Sequence, residues 1–593
     1  MKKLFVLLFA CVVGAVFSIP SPLFAQTTEE RVWTFSSSED FQISDSSKIV
    51  FKNGSVKLKP VDFVSAGYKS WYDTHFTGGG SSKGYDIEVD EAGYVYVAGL
   101  TNDGAGGTDY AFVVKFNSNL EEIWYKRYLA GGGFQGIALA PDGNLIGIAE
   151  YIDSGDSHAY FKIYKINSQT GEVIWEKDPI ARGNDWIDFW GDGAGPEVDR
   201  WGNIYYVHSA GISTTGKTYP APHSVYKFDP NGNLLWKRDD DFEREPGETR
   251  PYHEDLWQAV VDSEGSIYFS TSVANIGGDL DYGLTKYDTN GNLKWRAVKH
   301  MLDAFDAPRG LSVDSNDYLY QNGNAGSGAP GAACGTLKYT KDGQLLKQII
   351  ESPISHFKYC WSSDTDPLDY KIIPRYSPAS GFTLVKYDTE LNFLGGFEAP
   401  ITDTESKDYP SYVASDKFGT AYGVSVFQDP DRDNKYSLAL VKGVNEYPDT
   451  RPDLGTPIYL INKDPILYDS IHQISVEYGP MDQSDVRFQL SNNGTDWYWW
   501  DGAKWTKASG FESNTLEEVN AHLAEFSEQV GGGAFYYRVF LITDGSFQVD
   551  LASIRVIYSP MGLPQTGGVD LIEKAWNFFV IKAQSFLKNL IQG

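Results

Sequence analysis

The chain is poor in cysteine and in positive charge. It carries 3 cysteines in 593 residues, and 50 lysines and arginines against 79 aspartates and glutamates. Cys11 sits within an N-terminal apolar stretch, so a processed chain keeps only Cys334 and Cys360, enough for a single disulfide in an exported setting. Their separation of 26 residues would close a loop worth about 3 kcal/mol on the chain-entropy account. Spacing alone leaves open whether the two sulfurs meet. The shortage of positive charge leaves a formal charge of −29, or −31 once Lys2 and Lys3 are removed. So acidic a surface repels phosphate backbones and anionic lipid, which argues against nucleic-acid partners; cations and neutral glycans are the easier ligands.

Long apolar runs are scarce too. One extends from Leu4 to Phe17 behind two lysines and is followed by Leu23, Phe24 and Ala25, the pattern of a secretory signal over residues 1–25. The run continues past Cys11, which speaks against lipoprotein processing there. In abundance are turns and rings: 60 glycines and an aromatic fraction of 15%. With moderate charge, that balance predicts β-rich structure with many turns, and the length calls for two or more domains.

The repeats decide the architecture. The stretch KYDTNGNLKW from Lys286 to Trp295 recurs as KFNSNLEEIW ending at Trp124, KINSQTGEVIW ending at Trp175 and KFDPNGNLLW ending at Trp236. Weaker copies start at Lys338 and Lys386. Each reads as a strand end, a tight polar turn and a new strand. About 25 residues before each lysine stands a second piece, D-x-x-G-x-[VIL]-Y or a relative of it, as in Asp199, Gly202 and Tyr205. Lys115, Lys165, Lys227, Lys286, Lys338, Lys386 and Lys442 mark seven units spaced 48 to 62 residues apart. Units of that size close a core only as a ring, so the fold class expected is all-β: a seven-bladed propeller over 66–447. In the fourth unit the strands are predicted over 257–261, 266–271, 283–287 and 293–297. The seventh unit lacks its tryptophan strand, and an orphan of that type stands at Lys69, Ser70, Trp71 and Tyr72; it is expected to pair near Leu440 and close the ring.

The D-x-x-G-N-[IL]-Y and K-[YF]-[DN]-x-N-G-x-L-x-W signature resembles the bacterial β-propeller repeat family of exported proteins, over about two thirds of the chain. The resemblance implies the fold and no particular activity. After a linker at 448–456, residues 457–560 look like a β-sandwich module of bacterial surface proteins, and residues 26–59 look like its first strands, so the propeller is expected to be inserted into the sandwich. One helix is predicted there, with Thr515 and Glu518 as its capping box and Leu516, Val519, Leu523, Phe526 and Val530 on one face. In the last segment, 561–593, Leu563, Pro564, Gln565, Thr566 and Gly567 match the L-P-x-T-G sequence cut by sortases. The residues after Gly567 lack the apolar span of a sorting signal. They read as a short amphipathic C-terminal helix for a membrane surface, the cell envelope or a docking partner.

In a propeller the loops entering the innermost strands gather at one face of the central channel. Here they carry Trp186, Asp188 and Trp190, then Trp257, then Asp306 and Arg309, then Tyr359 and Trp361. Aromatic faces beside carboxylates are what a sugar-binding surface uses, while tryptophans that fill gaps between blades are the plainer account. The function expected is a secreted or cell-surface protein that recognises glycan or surface-protein ligands, as in adhesion. The alternative is an extracellular polysaccharide-active hydrolase or lyase using His253, Glu254, Asp255 and His356, but no spacing motif compels catalysis. No cofactor is required. Asp429, Asp431 and Asp433 alternate as calcium ligands do, although the glycine and glutamate of a full EF-hand loop are missing.

Overall fold

The computed structural model describes residues 28–74, 80–103, 107–152, 159–181, 193–209, 223–240, 256–274, 280–302, 305–327, 333–351, 359–377, 381–399, 411–433, 435–483 and 485–562. Residues 1–27 and 563–593, the latter with the LPQTG sequence, lie outside them. The chain divides into two compact units, one of Pro60–Tyr447 and one of Met1–Lys59 with Pro448–Gly593.

Pro60–Tyr447 is a seven-bladed β-propeller, each blade a four-stranded antiparallel sheet with small additions in blades 2 and 6. Blade 4 shows the pattern: Leu256–Val261 innermost, then Ile267–Ala274, Leu280–Tyr287 and Leu293–Lys299 outermost. The other innermost strands are Ser82–Val89, Gly132–Leu139, Gly193–Val198, Phe305–Val313 and Ser411–Ser415; blade 6 uses two pieces, Tyr359–Cys360 and Asp364–Thr365. Blade 7 takes its outer strand from the start of the chain. Asp62–Trp71 pairs with Lys435–Glu446, with Trp71 opposite Leu438 and Lys69 opposite Leu440, which is the closure expected from the orphan strand.

The signature residues clasp neighbouring blades. Asp262 Oδ1 accepts from the amides of Glu264 at 3.0 Å and Ser266 at 2.8 Å, which shapes the turn. Its Oδ2 accepts from the Tyr268 hydroxyl at 2.8 Å and from Lys286 Nζ at 3.2 Å. Lys286 Nζ and Trp295 Nε1 then both donate to the carbonyl of Lys341 in blade 5, at 3.2 and 3.1 Å. Lys227 and Trp236 converge likewise on Thr289, and Lys115 and Trp124 on Ser168. The repeat is therefore written in side chains that join blade to blade. Blade 6 lacks the turn glycine, and Asp369 fills the left-handed position at φ 66°. Aspartate tolerates that conformation, and here its carboxylate also accepts from the Ser315 amide and hydroxyl in blade 5.

In the second unit the two ends of the chain share sheets. Glu29–Thr34 pairs with Asp550–Pro560, and Phe41–Ile43 pairs with Ile458–Asn462. The buried Lys57 ammonium meets Asp550 at 3.0 Å, and Gln548 bonds both backbone groups of Leu58. The capping box of Thr515 and Glu518 is present. The predicted single helix is two, Leu516–Ala521 and Leu523–Val530, broken at His522. Trp505 Nε1 donates to the His522 carbonyl at 2.8 Å and Trp500 stacks on its imidazole at 3.8 Å, so this residue is held out of helical geometry from both sides.

Candidate ligand site at the propeller axis

The innermost strands place their residues in tiers that can be counted back from the first residue of the following turn: Asp90, Ala140, Asp199, Asp262, Asp314, Asp366 and Asp416. Five positions back stand Tyr85, Gln135, Ala194, Trp257, Arg309, Trp361 and Ser411. A register shift at this point leaves Tyr85, Gln135, Trp257 and Arg309 as bulged residues in blades 1, 2, 4 and 5. Bulges re-aim a side chain out of the regular pleat.

Blades 4, 5 and 6 thus present tryptophan, arginine and tryptophan at one level. The Arg309 guanidinium carbon lies 4.2 Å from the Trp257 ring centre and 4.1 Å from that of Trp361, and the two indoles meet edge to face at 5.5 Å. This is a cation held between two π faces. Trp257 and Arg309 are half-buried and Trp361 is buried, so the cluster opens mainly along Trp257 and Arg309. Gly310 makes room for it: a Cβ there would meet the Trp361 carbonyl at 2.7 Å. The segment 361–363 leans across blade 5 to blade 4, where Gln258 Oε1 accepts from the amides of Leu311 at 2.9 Å and Ser363 at 3.3 Å. Asn322 Nδ2 donates to the Trp361 carbonyl at 2.7 Å and fixes the same segment.

A second tier lies two positions before the turn: Glu88, Ala138, Glu197, Val260, Ser312, Asp364 and Ala414. Burial pushes the carboxyls of Glu88 and Glu197 well up, and neighbouring carboxylates add to it. Asp364 is raised by burial as well, against a hydrogen bond from the Ser415 hydroxyl. One tier inward, Asp86 is pushed up to about 7 by burial, opposed by the amides of Ile137 and Ile87. Buried Lys371 beside this group donates to Ser312 Oγ at 2.8 Å, and burial pulls its ammonium well down. A raised carboxyl keeps its proton to higher pH, and a protonated acid can donate a hydrogen bond. Single-chain reading missed all of them, because they become a ring only when the blades are aligned: three acids in a column otherwise filled by alanine, valine and serine.

The other expected residues have various places. Asp306 is fully buried, and its carboxylate accepts from the amides of Met301, Leu302 and Gly326, so it fixes the loop entering blade 5 and has no free face for a sugar. His300 Nδ1 lies 2.8 Å from Asp281 and 3.8 Å from Asp306, the one His and Asp grouping among the described residues compact enough to share an ion. Asp429 caps a short 3-10 turn by accepting from the Asp431 amide, and accepts from the Ser437 hydroxyl at 3.0 Å, while Asp431 and Asp433 are exposed. Both carboxylate oxygens of Asp429 thus accept a hydrogen bond within this turn. Cys334 and Cys360 form a disulfide, with Cα atoms 5.8 Å apart. Tyr359 begins the inner strand of blade 6. Trp186, Asp188, Trp190, His253, Glu254, Asp255 and His356 lie outside the described residues.

No known protein-family profile matches the chain, and no curated protein matches it. Solved structures do. The chain is similar to a protein of unknown function from Dyadobacter fermentans at 10% identity, covering 65% of this chain and 99% of that one with a TM-score of 0.40. It is similar to the β-propeller domain of the Trilobed protease from Pyrococcus furiosus at 8% identity, over 61% and 95% of the two chains with a TM-score of 0.35. A Hadza microbial sialidase matches at 11% identity over 57% and 73%, with a TM-score of 0.33. No helix among the described residues is long and apolar enough to cross a membrane.

Proposed function

We propose that this chain is an exported binding protein that takes a glycan at the axial mouth of its propeller. The observation that carries the reading is the tryptophan, arginine, tryptophan tier: one repeat position in three successive blades supplies two indoles and a cation, with Trp257 and Arg309 reachable from outside. Indole faces cover the apolar faces of pyranose rings, and polar groups around them fix orientation. The leader at 1–25 and the LPQTG sequence at 563–567 support export and attachment at the cell surface. Glycan-array binding by the full mature chain tests the proposal. Binding that is lost in Trp257→Ala supports it, and binding that survives Trp257→Ala together with Arg309→Ala refutes this placement of the site.

The raised carboxyls of Asp86, Glu88 and Glu197 favour a second reading, a polysaccharide-active enzyme, because a general acid must hold its proton at working pH. Incubation with a polysaccharide panel decides between them: new reducing or unsaturated ends that vanish in Glu197→Gln favour turnover, and their absence favours recognition alone.

A further inference from the structure

We infer that the second unit carries a binding site of its own, on the outer face of its sheet, where Arg538 receives the carboxylate or sulfate of an acidic sugar. This site shares no residue with the propeller tier, so each can fail without the other.

Three neighbouring strands build the place. Gly533–Ile542 runs between Ile458–Asn462 and Asp485–Ser491, with Arg538 opposite Ile461 on one side and Gln489 on the other. Phe535, Tyr537, Val539 and Leu541 are buried in the core, so the alternation of the strand turns Tyr536 and Arg538 to the outer face. Gln489 is fully buried and fixed from the loop above it, since its Nε2 donates to the carbonyls of Gly510 at 3.0 Å and Glu512 at 2.7 Å. Its Oε1 accepts from Arg538 Nη1 at 2.8 Å. The guanidinium carbon lies 4.3 Å from the Trp497 ring centre and 4.6 Å from that of Tyr459, and Phe511 stands beside Tyr459 at 6.1 Å. The arginine is therefore held in place before any ligand arrives, which reduces the entropy cost of recognition.

What the arginine lacks is an anion. Burial pulls its guanidinium down, Tyr459 is the one group that opposes this, and no carboxylate among the described residues pairs with it. The acids of the covering loop are engaged elsewhere: Glu512 accepts from the Ser509 hydroxyl at 2.5 Å and the Gly510 amide at 2.8 Å, and Asp496 pairs with Lys507 at 2.5 Å. In a chain with 79 acidic residues against 50 lysines and arginines, a half-buried arginine with no acid beside it runs against the composition. Charges taken from water need a counter-charge to offset the loss of hydration. The guanidinium also has an open corner. Nε is buried and Nη1 is taken by Gln489, but Nη2 meets no acceptor among the described residues and is not shut away from water; the same holds for the Tyr459 hydroxyl. An N–H donor on a cation, a hydroxyl and the half-buried rings of Tyr459, Phe511 and Tyr536 together suit an oxyanion carried on a sugar. A small free anion would leave the rings unused.

The test uses the full mature chain and four probes, read by calorimetry at pH 7: cellotetraose, its C6-oxidised counterpart, its 6-sulfated counterpart and sodium acetate. At least one of the two acidic tetrasaccharides is expected to bind about tenfold more tightly than cellotetraose, the scale of one charge-assisted hydrogen bond. Which of them does so names the oxyanion. Arg538→Met should abolish the preference, and Tyr459→Phe, which keeps the ring and loses the hydroxyl, should weaken acidic binding about threefold. Arg538→Met should also leave the urea midpoint of the chain where it is or raise it, because the charge removed has no acid to strand. Equal affinity for the acidic and neutral tetrasaccharides overturns the inference, and a preference that survives Arg538→Met overturns the placement. A midpoint that falls in Arg538→Met assigns the arginine to structure and overturns the inference as well. Acetate binding as tightly as the acidic tetrasaccharides overturns the sugar class.

Discussion

Replacing Lys286 by methionine should cost the propeller about 3 kcal/mol. The Lys286 and Asp262 pair is shut away from water, with side-chain exposures of 9% and 0%. Removing one member of a buried pair costs about 3–5 kcal/mol, because the other charge is stranded. Here the loss belongs at the lower end, since Asp262 keeps the amides of Glu264 and Ser266 and the Tyr268 hydroxyl. Burial alone would raise the Asp262 carboxyl, but those donors and the Lys286 charge outweigh it and hold it below its ordinary 3.8. A carboxyl lowered in the folded state adds stability above about pH 4 that disappears as pH falls through the folded value. The deficit of Lys286→Met should therefore be full at pH 7 and shrink near pH 3. Urea unfolding followed by tryptophan fluorescence measures it, and a double-mutant cycle with Asp262→Asn isolates the coupling. A loss below about 1 kcal/mol, or strict additivity with Asp262→Asn, would show that the Lys286 and Asp262 pair does not contribute to holding the blade.

Three further outcomes rest on the same geometry. Asp86, raised to about 7 by burial, favours the folded state below about pH 4 and loses that contribution as pH rises through 7. Wild type should then lose up to about 2 kcal/mol more than Asp86→Asn between pH 5 and pH 8, and parallel profiles would contradict it. Trp71→Ala removes a buried ring that stacks on Phe112 and donates to Glu122 at 2.7 Å, and should lower propeller stability by about 4 kcal/mol. A change under about 1 kcal/mol in urea would show that ring closure does not depend on it. Replacing both Cys334 and Cys360 by serine frees a closed loop of 26-residue separation and should cost about 3 kcal/mol, measured the same way; an unchanged midpoint would speak against that contribution.

The propeller was legible because its cohesion is carried by side chains at fixed spacing. Asp262, Tyr268, Lys286 and Trp295 must recur together for one blade to grip the next, so the periodicity survives even where the sequence drifts. Blade 6 was the least legible, since Asp369 stands where most blades have a glycine, as Asp317 does in blade 5, and its inner strand is interrupted by Trp361, Ser362 and Ser363. Trp257, Arg309 and Trp361 stood out by composition, but their common level depends on bulges that no spacing announces. The acids fared worse. Glu88, Glu197 and Asp364 come from blades 1, 3 and 6, and nothing local distinguishes them from ordinary surface charge. The helix break at His522 was hidden for a related reason, being imposed by Trp500 and Trp505 from a neighbouring hairpin.

The pairing of Asp62 with Glu446 has a consequence for how the polypeptide is made. Residues 29–58 leave the ribosome early, yet the strands they need, from 458 onward, emerge at least about 400 residues later. Left to a slack chain of that length, their encounter would carry a closure penalty about 4 kcal/mol larger than that of a short tether. Ring closure sets positions 62 and 446 side by side and reduces the search to two brief stubs. The early strands thus wait on the late ones, and the finished circle is what introduces them.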